Sequence, residues 1–370
     1  RSTMCDWAAQ CALLLHPLYD RMIREVLGSK VIHTDDTPVK VLDRRLDRTR
    51  TGRFWVYLGD SSHPCTVFTY TPSRSRDGPQ QFLKGWSGYL QADAFGGYDG
   101  IYAGQAGGRV TEVACWAHAR RKFYDARNAD AASSAQALAY IRLLYDVEDE
   151  AKKRFEPHAR TGARFSSGES SASSTESPIL SEGSSVSPGR SSVSPGRSSA
   201  SPGGSSVSSE ESSAGPHTRS SIRHALRQEK SVPRLTPFRA WLEAQQASRG
   251  GPVLPRSPMG QAITYTLNQW DALCVYTTDG DLAIDNNVSE NALRRVAVGR
   301  KNWLFCGSDN GGSTAAVLFS LIATCQRHHV EPFAYLHDAL NRMTAEPRRP
   351  LDDLLPDRWR ASQAATTPLS

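Results

Sequence analysis

No stretch of the 370-residue sequence approaches the roughly 18 apolar residues that a membrane-spanning helix needs, and the mean hydropathy is −0.48. A transmembrane reading is excluded on that ground. An apolar leader is also missing: Arg1-Ser2-Thr3-Met4 runs into a mixed segment, unlike a secretory signal. An opening on Arg reads as the start of a fragment. Cysteine is scarce. Cys5, Cys11, Cys65, Cys115, Cys274, Cys306 and Cys325 are odd in number, widely spaced and without a Cys-x-x-Cys pair. That argues against a disulfide framework and for a reducing compartment. No phosphate-cradling Walker loop, no Gly-x-Gly-x-x-Gly and no Gly-x-Ser-x-Gly occurs, which removes the usual nucleotide-binding and serine-hydrolase readings.

What is present fits two modules plus connecting material. Hydrophobic residues make up 39% and charged residues 22%, enough for a sizeable core over part of the chain. Lys and Arg number 44 against 38 Asp and Glu, a net charge of +6. That excess permits a polyanionic partner without requiring one.

Residues 1–30 read as a helix, because Trp7, Cys11, Leu14, Leu15, Leu18, Met22 and Val26 recur at threes and fours and Gly28 can stop it. Residues 31–125 read as a mixed sheet with helices packed on it. Its strands are expected at 31–42, 54–58, 66–70, 88–93 and 110–115, with helices at 79–86 and from about His118. A strong amphipathic helix covers 135–156. Composition then changes: Ser, Gly, Pro and Glu dominate 166–221, with SSVSPGR, SSVSPGR and SSASPGG in tandem. Pro and Gly in each copy exclude a coiled coil, and the expectation is a disordered insertion. Helices are expected again at 222–242, 258–273, 313–328 (capped by Ser313) and 332–343. The stretch 279–312 is rich in Gly, Asp and Asn, and the tail beyond Pro347 is expected to be loose.

Three acids stand out. Asp35 lies inside the first strand, where a carboxylate has no structural reason to be. Asp93 ends the fourth strand before Gly96-Gly97. Glu290 opens a helix after Asp285-Asn286-Asn287. Strand-borne carboxylates joined by one from a helix would make a hard oxygen site suited to Mg²⁺ or Mn²⁺ and phosphodiester chemistry. Each acid also has a plainer reading. Asp35-Asp36-Thr37-Pro38 could end a strand, Asp93 could be a turn residue, and Asn287 with Glu290 fits a capping box. Asp35 and Asp36 face opposite ways on a strand and cannot share one site. Arg120, Arg121, Arg294, Arg300 and Lys301, with Trp303 among them, suit phosphate contacts and base stacking. The alternative is a solvated face with Arg294 paired to Glu290. Cys115-x-x-His118 would be half a zinc site, but no second half lies at ligand spacing.

The strings DDTPVKVLD, RFWVYLGD, TPSRSRDG, GYLQADAFGGYDG, CWAHARRKF and DGDLAIDNNVSENALRRVAVGRKNWLFCGSD resemble the insertion sequence 66 transposases of the TnpC type. The resemblance covers most of 1–343 apart from the Ser-rich stretch. It implies a DDE transposase with an RNase H-like mixed α/β core. Its triad would be Asp35, Asp93 and Glu290, holding two Mg²⁺ or Mn²⁺ ions. Implied partners are element-end and target DNA, a homo-oligomer on that DNA and accessory proteins of the element, in a bacterial cytoplasm at the nucleoid. The implied division is a 1–30 remnant of a longer N-terminal region, a core at 31–125, a helical insertion at 126–278, a core completion at 279–345 and a tail at 346–370. Three features depart from the family pattern, the Ser/Pro/Gly-rich insertion at 166–221 among them. Asp36 stands where Glu is usual, and the N-terminal DNA-binding and zipper-like segments are absent. A catalytically incomplete DNA-binding remnant is therefore the alternative, and a carboxylate-pair glycosidase a third reading.

Overall fold

The computed structural model describes residues 2–43, 48–93, 96–104, 107–161, 218–346 and 349–359. The low-complexity residues up to 217, and with them most of the expected disordered insertion, lie outside the described residues. Residues 218–221 were expected within it but open a helix, with the Thr218 hydroxyl accepting from the Ser221 N–H.

A five-stranded mixed sheet forms the centre. Its strands are β1 (Val31–Asp43), β2 (Arg48–Leu58), β3 (Thr66–Thr71), β4 (Gly88–Gln91) and β5 (Val110–Val113), in the order β3-β2-β1-β4-β5. β1, β2 and β3 run antiparallel, whereas β4 and β5 run parallel to β1. The parallel pairs are reached through crossovers carrying α2 (Asp77–Phe82) and α3 (Asp99–Tyr102), as parallel pairing requires.

Strand alternation separates two faces. Ile32, Trp55 and Tyr57 join one core with α1 (Ser2–Leu27) and α11 (Asp309–Arg327). Val39, Val41, Phe54 and Val56 join another with α10 (Asn287–Trp303). A third cluster holds α4 (Trp116–Asp125), α5 (Ala131–Thr161), α7 (Val232–Gln245), α8 (Pro258–Asn268) and α9 (Trp270–Cys274). Trp116 is its hub, edge-on to Trp270 at 6.0 Å and stacked on Phe238. A single π-type turn, 227–231, joins α6 (Arg219–Leu226) to α7. No helix among the described residues is long and apolar enough to cross a membrane.

Several expectations need correction. The buried stripe of α1 is Ala12, Leu15, Leu18, Met22 and Val26, while Trp7 and Leu14 are exposed. The helix expected over 258–273 breaks at Gln269 into α8 and α9. α11 starts at Asp309, and its cap is Ser308, whose hydroxyl accepts from Gly311, not Ser313. The tail is not loose over 349–359. After α12 (Pro332–Ala345), Leu354 and Leu355 are wholly buried, Trp359 packs edge-on to Tyr335, and Arg358 pairs with Glu25 on α1.

Candidate functional site

Asp35 projects from the middle of β1 on the face that carries Val39 and Val41, opposite Val56 of β2. Asp36 takes the other face. Its carboxylate is 1% exposed and held by Arg53 at 2.9 Å and Arg74 at 2.7 Å. The Asp-Asp pair is therefore divided as strand alternation requires: Asp36 is a structural anion and Asp35 is free to face the site. β4 positions Asp93. The register pairs His33 with Gln91, the last residue of β4; Asp93 follows two residues beyond the strand, close enough for its charge to act on Asp35.

Glu290 comes from far along the chain, and its approach is built by the loop before α10. The Gln91 amide donates to the carbonyls of Ala283 (2.7 Å) and Asp285 (3.2 Å). Asn286 is fully buried; its amide donates to Thr34 O at 2.8 Å, and its Oδ1 lies 3.0 Å from His33 Nδ1. Its N–H donates to Cys115 Sγ. From the helical insertion, Tyr145 donates to Asp285 at 3.0 Å. Gly280 passes so close to α6 that a Cβ there would meet Ser220 O at 1.8 Å. The start of α10 is thus tied to β1, β4, α4 and the insertion together.

The capping-box reading of Glu290 does not hold. Asn286 is the N-cap and makes no side-chain cap bond, and the Asn287 N–H donates to Asp285. The Glu290 carboxylate instead faces His118 of α4, with Nε2 to Oε1 at 3.6 Å. Arg294 makes no ion pair with it. His118 Nδ1 is buried with no hydrogen-bond partner. Cys115 is a buried thiol and His118 lies in the first turn of α4, the plain reading of Cys115-x-x-His118, which did not mark His118 as a site residue. Cys115 is buried, which pushes its thiol up to about 11, so it remains protonated as a hydrogen-bond acceptor.

The carboxylates influence one another. Burial pushes Asp35 up to about 7, and the negative charges of Asp93, Asp36 and Glu290 push the same way; the Asp36 N–H, donating to Asp35 Oδ1 at 2.7 Å, acts against them. Yet no three His, Cys, Asp or Glu side chains among the described residues form a group able to hold a metal. Asp35, Asp93 and Glu290 are electrostatic neighbours and hard oxygen donors, not a closed ligand set.

Arg120 and Arg121 line a cleft of about 440 Å³ with Ala117, His118, Tyr124 and Glu290. Arg294 and Lys301 are exposed, with no carboxylate at ion-pair distance among the described residues. Arg300 is half-buried and donates to the Pro38 carbonyl. Trp303, the expected stacking platform, is half-buried and packed against Phe319, ring centroids 6.5 Å apart.

The chain matches the profile described as Transposase IS66 family over residues 1–191 and 208–314, and that of the IS66 C-terminal element over 320–356. It belongs to the IS66 transposase family. It is similar to the uncharacterized protein y4hP of Sinorhizobium fredii, 29% identical over 378 residues, covering 100% of this chain and 58% of that protein. The uncharacterized protein y4jD of the same organism is 26% identical over 377 residues, covering 98% of this chain and 60% of that protein. The chain thus spans just over half the length of these relatives. No solved structure matches it significantly.

Proposed function

We propose that this chain carries the catalytic core of a DDE-type transposase, which cuts DNA at the ends of an insertion sequence and joins the freed 3′-OH to target DNA. The observation that supports the reading is that the charges of Asp93 and Glu290 both act on Asp35, with the loop before Glu290 tied to β1 through Asn286 and Thr34. The strand order, with an antiparallel β1-β2-β3 unit followed by parallel β4 and β5, supports an RNase H-like core.

In this reading Asp35, Asp93 and Glu290 hold Mg²⁺ or Mn²⁺. Their donor chemistry fits: hard carboxylate oxygens whose mutual repulsion and burial call for a cation. When bound, two such ions would stabilise the attacking and leaving oxygens of a phosphodiester. The chain's own groups do the rest. Arg120 and Arg121 hold backbone phosphates in the cleft beside Glu290, and Arg294 and Lys301 extend the basic track along α10. His118 fixes the direction of the Glu290 carboxylate. The partners are the element's ends and target DNA, bound by a homo-oligomer.

That no closed three-ligand group forms among the described residues favours one alternative, a DNA-binding remnant that cuts nothing. Incubation with end-bearing duplex separates the two. The transposase reading expects cleavage with Mg²⁺, none with EDTA, and loss of cleavage in Asp35→Ala, Asp93→Ala and Glu290→Ala. Binding without cleavage in any divalent metal would leave the remnant.

A further inference from the structure

We propose that Leu304 and Phe305 form an apolar wedge that enters the base stack of bound DNA; this rests on the transposase reading above. Three observations meet at this turn. First, Leu304 has φ 57° and ψ −47°, and the Phe305 N–H donates to Trp303 O at 2.6 Å. That is the rare, strained form of γ-turn, with a branched side chain at its centre. Backbone strain of this kind persists only where the surroundings impose it, and it concentrates at functional positions.

Second, the turn is braced on both sides. Leu304 N–H donates to Arg300 O, closing α10. One residue past Phe305, Cys306 exchanges hydrogen bonds with β1, its N–H to Lys40 O and its carbonyl from Leu42 N–H, both 2.8 Å. The turn is therefore a rigid tip rather than a slack loop. Third, that tip displays Leu304 at 63% and Phe305 at 43% exposure, while Trp303 just before them is turned into the core. Two large apolar side chains are held out to water by a strained backbone between rigid supports.

The charge around the tip selects the occupant. Lys40 and Lys301 are exposed beside it, and Arg294 lies further back on α10. The nearest acid downstream, Asp309, is already bound by Arg50 and Tyr70. Apolar side chains amid unneutralised cations match a polyanion that offers flat apolar faces between its phosphates, which is duplex DNA. Apolar side chains wedged between base steps unstack and kink a duplex, and aromatic rings can stack on exposed bases. The spacing is suitable. Glu290 and Leu304 lie at opposite ends of α10, about 21 Å apart at 1.5 Å per residue. With α10 lying along the duplex, at about 3.4 Å per base pair, the wedge would meet DNA about six pairs from the carboxylates.

The test uses the full chain and a blunt duplex with 2-aminopurine placed at successive positions from the end, whose fluorescence rises on unstacking. The wild type should bind with salt-dependent affinity and give a several-fold rise centred about six pairs from the end. Leu304→Ser with Phe305→Ser should bind within about twofold, because phosphate contacts supply most of the affinity, and should lose the rise. Leu304→Gly accepts a positive φ; it should keep the fold and still reduce the rise. A rise that persists in the double variant overturns the wedge. So does a double variant that alters sedimentation but not fluorescence, which would make the tip a contact between copies of the chain. Wild-type binding with flat fluorescence at every position removes the wedge and leaves the transposase reading standing. Failure to bind duplex at all removes both.

Discussion

Asp35 and Asp36 are adjacent on β1 and point to opposite faces of the sheet: Asp36 is clamped by Arg53 and Arg74, and Asp35 lies within electrostatic reach of Asp93 and Glu290. Removing Asp36 leaves two arginines without their shared anion. Asp36→Ala should therefore cost about 2 kcal/mol, near the middle of the range for hydrogen bonds to charged groups. Urea unfolding checks this. An unchanged midpoint would show that solvent replaces the carboxylate at no cost.

Asp35 should behave in the opposite way. The unfolded chain releases its proton near the ordinary 3.8, and the folded chain near 7. Between those values the unfolded state binds fewer protons, so stability falls as pH rises from about 4 to about 7. In metal-free buffer Asp35→Asn should stabilise the protein, on the order of 2–4 kcal/mol above pH 8. The gain should vanish below pH 4, where both states of Asp35 are protonated. Melting curves across pH measure it, and a gain independent of pH would rule out the charge as its origin.

A cation at the three carboxylates should stabilise the fold. At about ten times its Kd, Mg²⁺ should add about 1.4 kcal/mol. Asp35→Asn, Asp93→Asn and Glu290→Gln should each weaken that response. Equal Mg²⁺ stabilisation of all four proteins would move the metal elsewhere.

His118 faces Glu290 at 3.6 Å. If it sets the direction of that carboxylate, His118→Ala should lower the cleavage rate about 10–100-fold, the usual effect of losing such a support. DNA affinity and melting temperature should stay near wild type, and His118→Gln should recover part of the rate. A loss confined to affinity would make His118 a phosphate contact instead.

Arg227 is wholly buried. It pairs with Glu148 at 2.7 and 2.8 Å and donates to the carbonyls of Tyr276, Asp279 and Leu282. Arg227→Ala should cost about 3–5 kcal/mol, because it strands a buried carboxylate. The exposed pair Arg142–Asp146 should matter little. Chemical denaturation of both variants compares them directly.

The five strands were legible because β-branched and aromatic runs such as Phe54-Trp55-Val56-Tyr57-Leu58 carry their own signal. Asp35 was legible because a carboxylate inside a strand is out of place; Asp93 and Glu290 stood out through the family resemblance. Other features were not. The helix that Glu290 opens was expected, but the Gly, Asp and Asn content of 279–312 hid how far it runs, on to Trp303. The docking of 349–359 rests on Leu354, Leu355 and Trp359 meeting α1 and α12, contacts that no local pattern announces. Nothing local marks Arg227 for burial; its partners come from α5 and the 276–282 segment. His118 looked like a helix-start histidine, and only the fold set Glu290 opposite it.

By itself the sequence determined the elements, through periodicity, propensity and breakers that act over a few residues. It also determined the division of Asp35 from Asp36, because alternation along a strand is local. Tertiary structure alone decided which carboxylates became neighbours, which arginines were neutralised and which apolar side chains stayed in water. Those outcomes depend on register and packing between segments far apart in the chain, where each contact forms only once the rest of the fold holds its partner in reach.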